Sequence, residues 1–163
     1  GIRPDFICLS KSLSGYGLPL SVVLIKPELD IWQPGEHCGT FRGHNLAFVT
    51  AAEALTYWET DAFSQAIMEK SKLIHQRLNE IVNQYPGSGW DVRGRGFIWG
   101  IDFGTAEFGP QVCAEAFKKG LIIETSGRNN VLKITPPLIT DEQGLNLGLD
   151  IIEKCVGNLE FGT

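Results

Sequence analysis

The chain has 163 residues, with 14 basic and 19 acidic side chains and a formal net charge of −5. Apolar residues make up 43% and charged residues 20%. This balance excludes an intrinsically disordered chain, which would need low hydrophobicity and high charge. The pI of about 5.2 argues against nucleic-acid binding through a general basic surface. No apolar run reaches the roughly 18 residues of a membrane span, so we expect a globular protein that engages neither nucleic acid nor membrane.

The first part of the chain predicts two strands and a helix. Short apolar runs at residues 5–9 and 20–25 are typical of buried strands. Residues 46–58 are rich in alanine and favour a helix, for which Asn45 is the expected N-cap. Because the chain enters a strand almost at once, we expect it to be a piece of a larger domain.

A long helix and an α+β unit are predicted next. Apolar side chains recur at helical spacing over residues 61–85, and Pro86-Gly87 ends the pattern. The α+β unit is expected to begin at Gly89, with a glycine-rich turn ahead of its strands. Its predicted strands are residues 97–103, 121–124 and 131–135.

Two further helices of this unit are predicted from their ends. Pro110 suits the first position of one helix, and Gly120 suits the residue just past its end. Residues 140–143 have the pattern of a capping box, which places the start of the other helix there.

Four cysteines, at positions 8, 38, 113 and 155, form no CxxC pair and match no zinc-ligand spacing. The three histidines suggest no metal triad either, so we expect no metal site. Cys8 and Cys155 lie in apolar stretches and are expected to be buried thiols. A reduced, cytoplasmic setting is the simplest interpretation.

Lys11 is the first candidate for chemistry, in a loop of small residues directly after a predicted strand. A lysine that projects into a cleft at a strand end can act as an amine nucleophile toward a carbonyl. Position alone does not separate this reading from an ordinary solvated lysine, which is far more common.

Gly39-Thr40-Phe41-Arg42-Gly43 is the second candidate segment. A hydroxyl and free backbone N–H groups just before a helix suit an anion such as phosphate. A plain turn at the helix start is the alternative.

Arg93-Gly94-Arg95-Gly96 is the third candidate segment. Two arginines in a flexible loop suit a carboxylate, and a solvated turn before a strand is the alternative.

Several segments, each weak alone, keep the order and spacing of one family along nearly the whole chain. They are Pro4-Asp5, Ser10-Lys11-Ser12, Ser14-Gly15-Tyr16-Gly17-Leu18-Pro19, Pro34-Gly35-Glu36-His37, Gly39 to Gly43, Asn45-Leu46-Ala47-Phe48, Arg93 to Gly96, Glu124-Thr125-Ser126-Gly127, and Lys133 with Pro136-Pro137-Leu138. The chain resembles the carboxyl-terminal part of a class III, pyridoxal-phosphate-dependent aminotransferase. It is most similar to the group that acts on diaminobutyrate and 2-oxoglutarate in ectoine and some siderophore pathways.

The resemblance implies an α/β chain of fold type I. Residues 1–60 would be the end of the large cofactor-binding domain, residues 61–88 a connecting helix, and residues 89–163 the small carboxyl-terminal α+β domain. It also implies a homodimer, or a higher dimer-based oligomer, with active sites at the subunit interface. The family's main cofactor cradle has no match here, so this chain alone is expected to be inactive.

The resemblance also assigns roles to three residues. Lys11 matches the lysine that holds pyridoxal 5'-phosphate as a Schiff base, and it would be the catalytic acid and base. Thr40 matches the threonine that reaches the cofactor phosphate of the neighbouring subunit. Lys133 stands where many relatives carry an arginine that binds the substrate α-carboxylate. At this position the lysine ammonium, a point charge, replaces the planar guanidinium of arginine.

The implied reaction transfers the terminal amine of L-2,4-diaminobutyrate to 2-oxoglutarate, giving L-aspartate 4-semialdehyde and L-glutamate. Ornithine, 4-aminobutyrate and acetylornithine are alternative donors within the same fold. A different class of interpretation is a non-catalytic remnant that serves as an interaction module.

Overall fold

The computed structural model describes residues 1–159. These residues divide between two units, Gly1–Phe63 and the residues from Ser64 onward. The small domain expected at residues 89–163 therefore ends in residues, 160–163, that lie outside the described part of the chain.

The first unit contains a two-stranded antiparallel sheet. Strand β1, Phe6–Leu9, pairs with β2, Val22–Ile25, so that Phe6 lies opposite Ile25. All four residues of β1 are exposed. The prediction of a buried strand with a buried Cys8 is therefore wrong for this chain: Cys8 is exposed, because a two-stranded ribbon has no second layer to cover its faces.

Helix α1, Asn45–Thr56, packs against a short 3₁₀ turn, Lys11–Ser14, that follows β1. Small residues allow this approach, since Ala47 and Ala51 are the buried positions of α1. The predicted N-cap is wrong by one residue. His44 is the cap, its side chain makes no capping hydrogen bond, and Asn45 is already helical.

The second unit is built on a four-stranded antiparallel sheet in the order β3-β4-β6-β5. Its strands are β3 Asp91–Arg95, β4 Ile98–Asp102, β5 Glu124–Ser126 and β6 Val131–Ile134. The sequence pattern predicted a turn where β3 lies. Gly94 favoured a turn in the sequence pattern because glycine is rare in strands. The pairing of β3 with β4 nevertheless requires glycine at this position, since a Cβ there would lie 2.3 Å from the carbonyl oxygen of Ile98.

Three helices complete this unit: α2 Asp61–Asn83, α3 Phe108–Lys118 and α4 Glu142–Gly157. The long predicted helix is confirmed, and its apolar stripe forms a buried face. The core brings together side chains of α2, the sheet, α3 and α4. Its most buried members include Ile74, Leu78, Ile81, Ile101, Val112, Leu132, Ile152 and Val156.

Local signals in the second unit were partly misplaced. Residues 121–123 are not a strand, because β5 begins only at Glu124. Pro110 is the third residue of α3, not the first, although Gly120 has the left-handed φ of +84° expected just past that helix. The cap of α4 is Asp141, whose carboxylate accepts the N–H of Gly144 at 2.8 Å.

Candidate active site

Lys11 lies two residues after the end of β1 and begins the 3₁₀ turn. Its φ is +62°, in the left-handed region that residues other than glycine rarely occupy. The side chain is exposed, and within residues 1–159 its ammonium forms no ion pair and no hydrogen bond. The structure thus presents a primary amine on a strained backbone, and such strain is typical of functional sites.

The loop that carries Lys11 is held from behind. Ser14 is buried, and its hydroxyl donates to the carbonyl of Leu18. Gly15 has a φ of +83°, and a Cβ on it would lie 3.6 Å from the Cβ of Ala54 on α1. Because turn, hydroxyl and helix constrain the same backbone, the conformation of Lys11 is determined by its surroundings.

Thr40 lies in a turn closed by the N–H of Arg42, which donates to the carbonyl of Gly39 at 3.1 Å. The Arg42 guanidinium donates to the His37 carbonyl, and His37 stacks on Trp32 with ring centroids 4.2 Å apart. Thr40 is exposed. It lies with Gly39, Gly43 and Phe48 in an open depression just before the N-terminus of α1, where backbone N–H groups lack partners within the helix.

Lys133 lies on β6 directly opposite Glu124 on β5. The two side chains form an ion pair. Both line a cavity of about 380 Å³ whose floor includes Leu149 and Ile152 of α4, each 2% exposed. Sequence analysis selected Lys133 but gave Glu124 no role, because strand register is not visible in one sequence.

The arginine candidate is engaged within the second unit. Arg93 donates to the Asp102 carboxylate at 2.7 Å. The same carboxylate accepts the Gly104 N–H and the Asn130 side chain. The Gly104 N–H first, then Asn130 and Arg93, hold the pKa of Asp102 below its usual value. Arg93 therefore has a structural partner, which weakens the interpretation of this segment as a binding site for a ligand carboxylate.

The four cysteines are free thiols, and burial raises the pKa of both Cys113 and Cys155. Over residues 1–159, no cluster of three or more histidine, cysteine or acidic side chains could hold a metal ion. Over the same residues, no helix combines the length and apolar character needed to cross a bilayer.

Comparison with known proteins identifies the family. Residues 1–156 match the family model described as aminotransferase class III. The chain belongs to the class III aminotransferases. It is 53% identical over 157 residues to a diaminobutyrate–2-oxoglutarate transaminase of Oceanobacillus iheyensis and 52% identical over 162 residues to one of Bordetella parapertussis. These alignments cover 96% and 97% of this chain but only 37% of either relative.

Solved aminotransferase structures share the fold. An acetylornithine aminotransferase from Elizabethkingia anophelis superposes with a TM-score of 0.83 at 27% identity, covering 97% of this chain and 42% of that one. An ornithine aminotransferase from Plasmodium yoelii gives 0.78 at 29% identity, with 96% and 42% covered. The predicted fold-type I architecture is confirmed by these neighbours.

Pyridoxal phosphate is the cofactor of this family. It carries an aldehyde and a phosphate, and the first unit has chemistry suited to both. Lys11 provides an exposed amine, without a partner among residues 1–159, for the aldehyde. The turn around Thr40 provides an exposed hydroxyl near a helix N-terminus, which suits the phosphate.

Proposed function

We propose that the full-length protein is a pyridoxal-phosphate-dependent aminotransferase acting on L-2,4-diaminobutyrate. The terminal amine of diaminobutyrate would pass to 2-oxoglutarate, giving L-aspartate 4-semialdehyde and L-glutamate. The chain spans about 37% of the length of its curated relatives, so we expect the 163 residues alone to be inactive. The observation that carries the proposal is the exposed, strained Lys11, whose amine has no partner among residues 1–159 and which the resemblance matches to the family's lysine.

Lys11 would hold the cofactor and handle the proton of the reaction. When bound, pyridoxal phosphate supplies an electron sink for the carbon that bears the transferred amine. The Nζ of Lys11, once free and neutral, would accept the proton of that carbon and later return one. Its backbone is constrained by the Ser14 and Gly15 contacts, so the amine starts from a defined position.

Thr40 would bind the cofactor and Lys133 the substrate, and neither would take part in the proton transfer. The Thr40 hydroxyl would donate to the cofactor phosphate, in the neighbouring subunit of a homodimer or a dimer-based oligomer. Lys133 would receive a substrate carboxylate as a point charge, exchanging its present partner, Glu124.

The domain boundaries at 60/61 and 88/89 and the cytoplasmic setting stay predictions of the same proposal.

One observation supports other donors. The solved neighbours are named acetylornithine and ornithine aminotransferases, and both of these substrates also carry a free terminal amine. The relatives at 52–54% identity favour diaminobutyrate instead. Specific activity with diaminobutyrate, ornithine, acetylornithine and 4-aminobutyrate will rank the donors. A higher kcat/KM for one of the other three would replace the proposed substrate.

The role of Lys11 is tested in the full-length protein. Borohydride reduction followed by peptide mapping should place a pyridoxyl adduct on Lys11, and Lys11→Ala should lower kcat by orders of magnitude. Lys26→Ala is the matched control, since Lys26 is a lysine of the same unit paired with Asp5, and it should keep normal turnover. An adduct on another lysine, or near-normal turnover without Lys11, would contradict the proposal. A protein with no adduct and no activity would instead favour the interaction module.

A further inference from the structure

Glu124 and Lys133 stand out in the second unit because they form a charged pair in apolar surroundings. They face each other across β5 and β6, and their side chains form an ion pair. Among the described residues that line the 380 Å³ cavity, these two alone carry charge. The other lining residues are aliphatic, proline, glycine or threonine, from α2, α4 and the sheet with its flanking segments.

Both charges are accessible to a ligand. The Glu124 side chain is 67% exposed and that of Lys133 is 34% exposed. An ion pair this exposed is weak, because water screens it and holding two long side chains costs entropy. A ligand that offers a partner to each member can therefore replace the pair with little loss. A ligand that offers only a carboxylate takes Lys133 and leaves Glu124 beside a like charge.

The proposed donor has the matching chemistry. In L-2,4-diaminobutyrate, the end remote from the reacting amine carries an ammonium and a carboxylate on one carbon. Side chains directly opposite on paired strands lie about 4.5–5.5 Å apart at Cβ, a separation at which two long side chains can reach adjacent charges. 4-Aminobutyrate ends in a carboxylate alone.

We propose that Glu124 determines donor specificity by receiving the α-ammonium of the donor while Lys133 receives its α-carboxylate. The inference rests on the proposed function and adds to it a reason for selecting α-amino-acid donors. Lys133 supplies attraction for any carboxylate, whereas Glu124 discriminates, since it rewards the ammonium and repels a donor that lacks one.

The first test compares donors in the full-length enzyme. Glu124→Gln should lower the ratio of kcat/KM for diaminobutyrate over 4-aminobutyrate about tenfold, the effect of losing one charge-assisted hydrogen bond. The change should lie mainly in the KM of diaminobutyrate. Glu124→Asp should retain most of the preference. Glu115→Gln is the matched control, because Glu115 forms an exposed pair with Lys118 on α3, and it should leave the ratio unchanged.

A binding measurement separates recognition from turnover. Calorimetry of the full-length protein with L-2-aminobutyrate, a zwitterion, and butyrate, a carboxylate alone, needs no reaction at the terminal amine. Glu124→Gln should weaken the zwitterion about tenfold and leave butyrate unchanged or bound more tightly.

Three outcomes would overturn the inference. An unchanged ratio in an active wild-type enzyme refutes the role of Glu124 while leaving the proposed function intact. An equal gain for every donor means that Glu124 only competes for Lys133. A wild-type enzyme that is inactive with all four donors and binds neither analogue refutes the proposed function and this inference together.

Discussion

The backbone of Lys11 gives a quantitative test of functional strain. Its φ of +62° is left-handed, which costs a residue with a side chain about 1–2 kcal/mol relative to the right-handed region. Glycine avoids that cost, but it loses more entropy on folding, by about 0.5–1 kcal/mol relative to alanine. The difference in the free energy of unfolding between Lys11→Gly and Lys11→Ala therefore contains two contributions: the relief of backbone strain, which favours glycine, and the loss of backbone entropy, which favours alanine.

The neighbouring residue isolates the strain. Ser12 is also exposed and lies in the same 3₁₀ turn, but with an ordinary φ of −76°. Changing alanine to glycine there carries only the entropy penalty. Subtracting the Ser12 comparison from the Lys11 comparison cancels the entropy and leaves the strain. We expect glycine to be favoured at position 11 by about 1–2 kcal/mol after this subtraction.

Urea denaturation of the full-length protein, stripped of cofactor, gives the required free energies. Four variants are compared: Lys11→Ala, Lys11→Gly, Ser12→Ala and Ser12→Gly. Stripping is needed because only the Ser12 variants retain Lys11, so the proposed link to the cofactor would stabilise these two variants alone. If glycine destabilises both positions equally relative to alanine, Lys11 is not strained and the reasoning is wrong.

Three further predictions concern the full-length protein. Gly94→Ala should lower the free energy of unfolding by at least about 2 kcal/mol, because its Cβ would meet backbone and Trp99 atoms at 2.3–2.7 Å. Thermal melts of both variants give the comparison with the control, Gly148→Ala on α4, where the nearest atom is 3.8 Å away. This control should change the free energy of unfolding by no more than about 1 kcal/mol. Asp102→Asn should destabilise by about 1–2 kcal/mol at neutral pH. Because the folded pKa of Asp102 is lowered, chiefly by the Gly104 N–H, its carboxylate stabilises the fold above its unfolded pKa. The difference should therefore shrink below about pH 4 in a urea series; a constant difference would contradict this. Thr40→Ala should weaken pyridoxal phosphate binding about tenfold in equilibrium dialysis, and unchanged affinity would remove Thr40 from the phosphate site.

The sequence by itself determined the features that depend on local patterns. The 3.6-residue spacing of Ile67, Ile74, Leu78 and Ile81 predicted both the long helix α2 and its buried face. The order of the motifs along the chain identified the family, because each motif is recognised from its own residues without knowledge of the fold. Lys11 was selected as a candidate in this way, just past an apolar strand.

The tertiary structure decided what depends on residues far apart in the chain. The pairing of Glu124 with Lys133 follows from the register of β5 and β6, and a shift of one residue would place the two side chains on opposite faces of the sheet. The positive φ of Lys11 also escaped prediction, since lysine has no preference for it. Within residues 1–159 Cys8 is exposed despite its apolar neighbours, because burial depends on which layer covers a strand, and no layer of this part of the chain covers β1.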